Sequence, residues 1–175
     1  MNQQDYQYSQ KLGRGMVYIA WILFLGLMTF AFDNFLDRQN NPNQNIPAHI
    51  DPNQVPEVTL IQNRDGHYLA NGKINNQPVT FLLDTGATDV VIPKHIAQRL
   101  KLKQGVATQA RTANGLITVY ATRLNSVSIG AITLNNIQAS INPHMEFDEI
   151  LLGMSFMKHL DLLQRGKELT LRYPN

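Results

Sequence analysis

Polar and apolar residues divide this chain into three parts of different character. An uninterrupted apolar run covers residues 16–32, MVYIAWILFLGLMTFAF, and contains no charged side chain. Residues 33–56 are rich in Asn, Gln and Pro and show no period that would bury one face of a helix or strand. In residues 57–175, short β-branched and aromatic runs alternate with turn residues. The pattern predicts a membrane helix, a linker and one folded domain, in that order.

The apolar run has the composition of a membrane-spanning helix and, at about 17 residues, lies at the short end of the spanning range. Two basic residues precede the run and two acidic residues follow it: Lys11 and Arg14, then Asp33 and Asp37. The positive-inside rule therefore predicts that residues 1–15 stay in the cytoplasm and that the domain is exported. A cleaved signal peptide is the alternative. Because bulky Phe residues occupy the positions where cleavage needs small ones, we expect an uncleaved anchor.

The third part has the pattern of an all-β domain. Runs rich in β-branched and aromatic residues occur at 58–62, 67–74, 78–84, 89–93, 107–113, 116–129, 132–141 and 149–153. An amphipathic stretch at 94–101 predicts one helix, and a second short helix is expected around 154–159. The Asn-Gly pair at 114–115 is the strongest hairpin signal, because both residues tolerate positive φ.

Composition removes several kinds of chemistry. The length of 175 residues suits one domain beside the apolar run, so we expect no two-lobed enzyme. Without cysteine there is no disulfide, thiolate zinc site or cysteine nucleophile. A net charge of +2 without a long basic run gives no reason to expect a nucleic-acid partner. The five histidines lack metal-binding spacing, so we expect no metal site.

Candidate chemistry concentrates in residues 79–93, VTFLLDTGATDVVIP. Asp84 ends an apolar run, and placing a carboxylate beside such runs is costly unless the group is used or paired. Gly86 permits a sharp turn directly after it, and the Thr85 hydroxyl can hold that turn. By itself, this pattern also fits a carboxylate that only caps a turn. Asp89 fits either a substrate pocket or a turn cap equally well.

The motif resembles the active-site signature of aspartic proteases, two apolar residues followed by Asp84, Thr85, Gly86 and Ala87. Two further elements occur in the order found in bacterial retropepsin-like proteases: a flap tip at Ala113, Asn114 and Gly115, then an apolar-apolar-Gly element at Leu151, Leu152 and Gly153. The resemblance covers residues 58–172. It implies a retropepsin-like acid protease barrel with one or two short helices.

The resemblance also implies a mechanism. Asp84 would be catalytic, and one such aspartate per chain would require a homodimer to form the pair that activates water. Thr85, Gly86 and Ala87 would support the site, while the flap would close over a peptide or protein substrate. No metal or other cofactor would take part.

One position pair departs from the viral members of the family. They carry an acidic residue two positions after the motif glycine and an arginine after the later glycine, where this chain has Thr88 and Met154. Losing both halves of a buried ion pair is far less damaging than losing one. We therefore expect an active subfamily, to which viral substrate preference and dimer contacts do not transfer.

Together these features predict an aspartic endopeptidase anchored in a bacterial inner membrane by one helix, with its catalytic domain in the periplasm. The alternative is a non-catalytic peptide-binding or dimerisation module with the same fold, part of a membrane complex. An intact Asp84 argues against such a module, which has no use for a costly carboxylate. A third possibility is a protease that acts mainly on its own linker.

Overall fold

The computed structural model describes residues 3–47, 49–50, 55–112 and 115–174, with side chains from Gly15 onward in the N-terminal helix. The chain divides into two compact units, Met1–Gln39 and Asn40–Asn175. The first unit is helical and the second contains the β-structure.

The first helix, α1, spans Gln3–Asn40 and extends beyond the predicted run at both ends. Residues 33–40, predicted as linker, continue the helix because they contain neither Pro nor Gly, and the first proline is Pro42. The segment Gly15–Asn40 has a mean hydropathy of 2.0 in its most apolar window, and none of that window is buried. By length and composition α1 can cross a membrane.

The second unit begins before the predicted start at Glu57, because part of the Asn-rich segment docks on the domain. Asn43 is 5% exposed. Its Nδ2 donates to the carbonyl oxygens of Ile61 at 2.8 Å and Leu69 at 2.6 Å, and its Oδ1 accepts from the Ile61 N–H at 2.7 Å. An amide can serve as donor and acceptor at once, so a polar segment that resembles a linker is fixed in place.

The strands of the second unit are β1 (His49–Ile50), β2 (Pro56–Ile61), β3 (Leu69–Ile74), β4 (Gln77–Leu83), β5 (Val90–Pro93), β6 (Ala107–Thr112), β7 (Gly115–Ile129), β8 (Ile132–Asn142), β9 (Ile150–Leu152), β10 (Asp161–Arg165) and β11 (Glu168–Arg172). Two short helices, α2 (Lys94–Arg99) and α3 (Met154–Met157), accompany them. The predicted all-β class with two short helices is confirmed. Helix α2 ends before the predicted Lys101, which adopts a φ of 55°.

Six strands close into a barrel. The larger sheet has the order β3-β4-β9-β5-β8-β7-β6, and pairing between β3 and β7 closes the first six strands on themselves. Alternate residues point inward, as the period of a strand requires. The core of the unit contains large apolar side chains that include Phe81, Ile92, Leu124, Ile150 and Phe156, each fully buried.

A second sheet, in the order β1-β2-β11-β10, covers one side of the core. Its strands β10 and β11 form a hairpin through Gly166, which adopts a φ of 59°, and Lys167. Residues 161–172 were absent from the predicted strands, so this hairpin is an addition to the sequence analysis. Strand β10 lies at the edge of the sheet, and all five of its residues are exposed.

Candidate active site

Asp84 lies at the carboxyl end of β4, where that strand leaves the barrel wall. Strand β4 runs parallel to β9, with Leu82 beside Leu151 and Leu83 beside Leu152. The Asp84 N–H donates to the Leu152 carbonyl at 3.2 Å. The Asp84 side chain is half-buried and opens into a cleft. The apolar run therefore ends at the cleft, and Asp84 lines this cleft instead of being buried in the core.

The loop after Asp84 folds back onto its carboxylate. Asp84 Oδ1 accepts a hydrogen bond from the Gly86 N–H at 2.8 Å, and the Asp84 carbonyl accepts from the Ala87 N–H at 3.2 Å. A Cβ on Gly86 would lie 3.1 Å from the same oxygen, so a side chain there would crowd the carboxylate. The bond to Oδ1 is one that a turn cap would also make. Oδ2, in contrast, accepts no hydrogen bond from any described residue.

The second apolar-Gly element lies against the back of this loop. The Met154 N–H donates to the Ala87 carbonyl and the Ser155 N–H to the Thr88 carbonyl, both at 2.8 Å. Gly153 is buried, and a Cβ there would lie 2.6 Å from the Ala87 oxygen and closer still to a second backbone oxygen. Only a glycine allows two backbones to approach so closely.

Ser155 fastens three elements behind the loop. Its Oγ accepts from the Val90 N–H at 2.9 Å and donates to the Gln138 carbonyl at 2.8 Å. Ser155 is 8% exposed, and its bond from the Val90 N–H is buried. The sequence analysis missed this role. The one local signal of this role in the sequence is that a hydroxyl-bearing residue, Ser155, lies two positions after Gly153.

The cleft above Asp84 has a volume of about 620 Å³. Apolar side chains of Val91, Ile117 and Leu151 line it, together with the carboxyl-bearing Asp89. Strand β6 forms the opposite wall, and all residues from Thr108 to Thr112 contribute to the lining. The cleft thus offers both apolar surface and charged groups beside the Asp84 carboxylate.

Strands β6 and β7 form the hairpin predicted as the flap. Thr112 pairs with Gly115 at its end, and Thr112 Oγ1 donates to the Gly115 carbonyl at 2.9 Å. Gly115 adopts a φ of 110°, which an L side chain rarely tolerates. The other two predicted tip residues, Ala113 and Asn114, lie outside the described residues. Strand β6 is the last strand of its sheet, and five of its six residues are exposed.

Four of the ten predicted site residues line one cleft. Asp84, Gly86, Ala87 and Leu151 line it, whereas Leu152 and Gly153 lie buried behind the loop. Thr85 is exposed and does not line the cleft. Within the described part of the chain, no three His, Asp or Glu side chains converge as they would around a metal ion.

The model of the family described as gag-polyprotein putative aspartyl protease matches residues 70–159. This range contains the Asp84 loop, the β6–β7 hairpin and the second apolar-Gly element.

Two curated bacterial proteins are similar over most of the folded unit. An uncharacterized Sinorhizobium protein from the region 5′ of cobV is 33% identical over 120 residues, which is 66% of this chain and 52% of that protein. The uncharacterized protein RP867 of Rickettsia prowazekii is 32% identical over 127 residues, or 71% of this chain and 54% of that protein. The chain therefore spans about half the length of the curated relatives it matches.

A solved structure has a similar fold. The crystal structure of a retropepsin-like aspartic protease from Rickettsia conorii is 30% identical in sequence and superposes with a TM-score of 0.57. The match covers 74% of this chain and 94% of that one.

Proposed function

Because this chain belongs to the gag-polyprotein aspartyl protease family and has the retropepsin-like fold that its sequence predicts, we propose that it is an aspartic endopeptidase. One observation carries the proposal: Asp84 lines the cleft, its Oδ1 accepts from the Gly86 N–H, and its Oδ2 accepts no hydrogen bond from any described residue. A carboxylate that only caps a turn would need the bond from the Gly86 N–H, but it would not need to line a cleft with its second oxygen left without such a bond.

The proposed reaction uses two Asp84 side chains, one from each of two chains. Two carboxylates held close together cannot both ionise, so they share one proton. The ionised member takes a proton from water, whose oxygen bonds to the scissile carbonyl carbon, while the protonated member donates to the carbonyl oxygen. Proton transfer to the amide nitrogen then lets the carbon–nitrogen bond break. No metal or other cofactor is required.

A homodimer supplies the second acid in this proposal. Asp89 is another carboxylate of the cleft, but it is held differently from Asp84. The backbone groups of Thr88 and Val90, on either side of it, bond to Ser155 behind the loop. A symmetric pair of Asp84 loops places two identical, similarly held carboxylates together. The exposure of Thr85 next to Asp84 suits a residue that meets its counterpart from the second chain.

The proposed substrate is an extended peptide segment of a protein. The long wall formed by β6 offers strand backbone beside the cleft, and extended peptides bind such strands through main-chain hydrogen bonds. Apolar side chains at Val91, Ile117 and Leu151 favour apolar residues on either side of the scissile bond. The flap hairpin would close over the bound peptide and exclude water.

We further propose that α1 anchors the enzyme in a bacterial inner membrane, with the N-terminus in the cytoplasm and the catalytic unit in the periplasm. The length and hydropathy of α1 and the charges on either side of its apolar run support this orientation. The anchor would restrict substrates to proteins that come near the membrane, including other envelope proteins.

Cleavage of a denatured test protein by the full chain in detergent micelles tests the proposal. We expect new peptide termini, detected by mass spectrometry, and complete inhibition by a pepstatin-type compound that mimics the tetrahedral intermediate. Peptide binding without cleavage, under conditions where the chain is dimeric, would instead establish a non-catalytic module.

A further inference from the structure

A second cavity lies on the folded unit and shares no lining residue with the cleft at Asp84. Its volume is about 700 Å³, and three cationic side chains line it: Lys101, Lys103 and Arg123. Among the described residues, no Asp or Glu belongs to the lining. A concave surface with charge of one sign attracts a ligand of the opposite charge. We call this site the basic cavity.

The charges of the basic cavity are not neutralised from within the described part of the chain, where none of the three cations forms an ion pair. Arg123 is nevertheless held in place. Its Nη1 donates to Asn136 Oδ1 at 2.9 Å and lies 3.5 Å from the Asn136 carbonyl oxygen. Asn136 is neutral, so it fixes the guanidinium without cancelling its charge. The other N–H groups of the guanidinium can still donate to a carboxylate.

Apolar surface lies beside these cations. Val106 lines the basic cavity and is 73% exposed, and Leu102 and Ala121 contribute to the same lining. The Gly105 N–H donates to the Ala121 carbonyl at 2.8 Å, and the Ala121 N–H donates to the Val106 carbonyl at 3.0 Å. Two residues thus lie opposite one, as in a β-bulge, which redirects side chains near functional sites. Exposed apolar and cationic groups together suit a peptide whose acidic residues adjoin an apolar one better than a small inorganic anion.

The basic cavity continues the same sheet face that lines the cleft. On β7, Val119 lines the cleft, while Ala121 and Arg123 line the basic cavity. Alternate residues of a strand lie on one face, and two residues span about 7 Å. Strand β8 repeats the pattern, because Ser140 of the cleft pairs with Ala121 and Gln138 of the basic cavity pairs with Arg123. One face of these two strands therefore leads from the cleft into the basic cavity.

We propose that the basic cavity is an exosite that binds an acidic segment of the protein substrate whose scissile bond lies in the cleft. The proposal rests on the proposed function. The continuous sheet face favours a peptide over a lipid head group, because an extended peptide can occupy both sites at once. From Ile117 in the cleft to Arg123, β7 rises about 20 Å, a distance that about six residues of extended peptide also cover.

The exosite would add selectivity that the apolar side chains of the cleft do not supply. Discrimination between substrates depends on the difference between their binding free energies. Acidic residues roughly six positions from the scissile bond would bind the three cations, whereas neutral residues there would gain little.

Two synthetic peptides test this exosite. Both have the same apolar centre. One carries three Asp or Glu residues about six positions to either side of it, and the other carries the corresponding Asn or Gln residues. Binding is measured by fluorescence anisotropy with full-length Asp84→Asn in neutral-detergent micelles, so that no cleavage disturbs the equilibrium. We expect the acidic peptide to bind roughly tenfold more tightly, and we expect added salt to reduce this preference.

Substitutions assign the preference to the basic cavity. In the same Asp84→Asn chain, Lys103→Glu or Arg123→Gln should reduce the tenfold preference to roughly threefold or less. Arg64→Glu is the control, because Arg64 is exposed, lines neither site and changes the net charge by the same amount as Lys103→Glu. This control should keep the full preference. Circular dichroism checks the fold of each variant, and in the chain with Asp84 intact Lys103→Glu should raise KM for the acidic peptide.

The outcomes separate the exosite from the proposed function. Cleavage of both peptides by the wild type with equal kcat/KM, together with equal binding, would overturn the exosite and leave the protease assignment standing. A preference that Lys103→Glu removes, in a wild-type chain that cleaves neither peptide, would establish the acidic-peptide site and overturn the protease assignment.

Two further results would also overturn the exosite. An equal loss of preference in Arg64→Glu would mean that overall charge, and not the basic cavity, attracts the peptide. Equal binding of both peptides, with cross-linking of photoactivatable phosphatidylglycerol that Lys103→Glu abolishes, would assign the basic cavity to a lipid head group.

Discussion

The two walls of the cleft are built in opposite ways. The wall that carries Asp84 is supported from behind by Gly153 and Ser155, whose contacts are buried and close to the backbone. The opposite wall is β6, the last strand of its sheet, with nearly all of its residues exposed. One wall is held by several independent contacts and the other by pairing with a single strand.

This difference corresponds to two requirements of the proposed reaction. Acid–base chemistry needs carboxylates fixed in position before the substrate arrives. A peptide that lies inside a closed site needs a cover that can open, and such covers come from the least stable parts of a fold. Variants of the two walls should therefore fail differently, with loss of chemistry or stability in the supported wall and weaker substrate binding in the exposed one.

The largest expected effect is on the chemistry of the supported wall. Asp84→Asn should lower kcat by on the order of 10³-fold or more, because the nearly isosteric amide can neither share a proton nor act as a base. The melting temperature and the dimer fraction should stay close to those of the wild type. Asp89→Asn, which changes another cleft carboxylate, is the matched control and should retain most of the activity. Equal loss in both variants would count against Asp84 as the catalytic acid.

Gly153→Ala should damage the support without touching a reacting group. The added methyl would overlap backbone oxygens behind the loop, so we expect a loss of about 3 kcal/mol or more in the free energy of unfolding. Urea denaturation measures it. A variant as stable as the wild type would mean that β9 and the loop can separate at little cost, which would remove the contrast between the walls.

Ser155→Ala should have an intermediate effect. It leaves the buried Val90 N–H without its acceptor and removes a donor from the Gln138 carbonyl at a partly buried site, which costs about 1–3 kcal/mol. Thr122→Ala removes a hydroxyl that donates to the Lys103 carbonyl at an exposed site, and it should change stability by less than about 0.5 kcal/mol. If both variants lost the same small amount, the buried bonds of Ser155 would not be what holds the wall.

A modest effect on stability is expected at the flap. Gly115→Ala forces a methyl-bearing residue to a φ of 110°, although nothing lies near the new atom, so the loss should be about 1 kcal/mol. We expect KM to rise more than kcat falls, because the change affects closure over the peptide and leaves the acid–base groups in place. A fall in kcat with unchanged KM would place this hairpin in the chemical step instead.

Local signals predicted much of this fold. Alternating β-branched runs gave the barrel strands, and Asn-Gly gave the β6–β7 hairpin, because pattern and turn chemistry act within a few residues. Strand β10 was missed since no part of it is buried within one chain, and its Gly-Lys turn is a weaker signal than Asn-Gly.

The remaining differences arise from contacts that are distant in sequence. Asn43 belongs to a segment with the composition of a linker, and it is fixed by backbone groups 18 and 26 residues away. Ser155 bonds to a backbone group 65 residues earlier. Composition and spacing cannot reveal such pairings. The Asp84 motif, in contrast, is contiguous in sequence, so its resemblance to the aspartic-protease signature can be seen in the sequence alone.

The bond between Ser155 and Val90 also has a consequence for the order in which the protein matures. Contacts between residues 65 positions apart form slowly, because a long loop must close before they contribute. During synthesis the Asp84 loop emerges well before α3, so for that interval the newly made chain contains the aspartate without the scaffold that positions it. In the proposed enzyme, a correctly positioned aspartate would therefore be present only after Ser155 has been synthesised and has bonded to Val90.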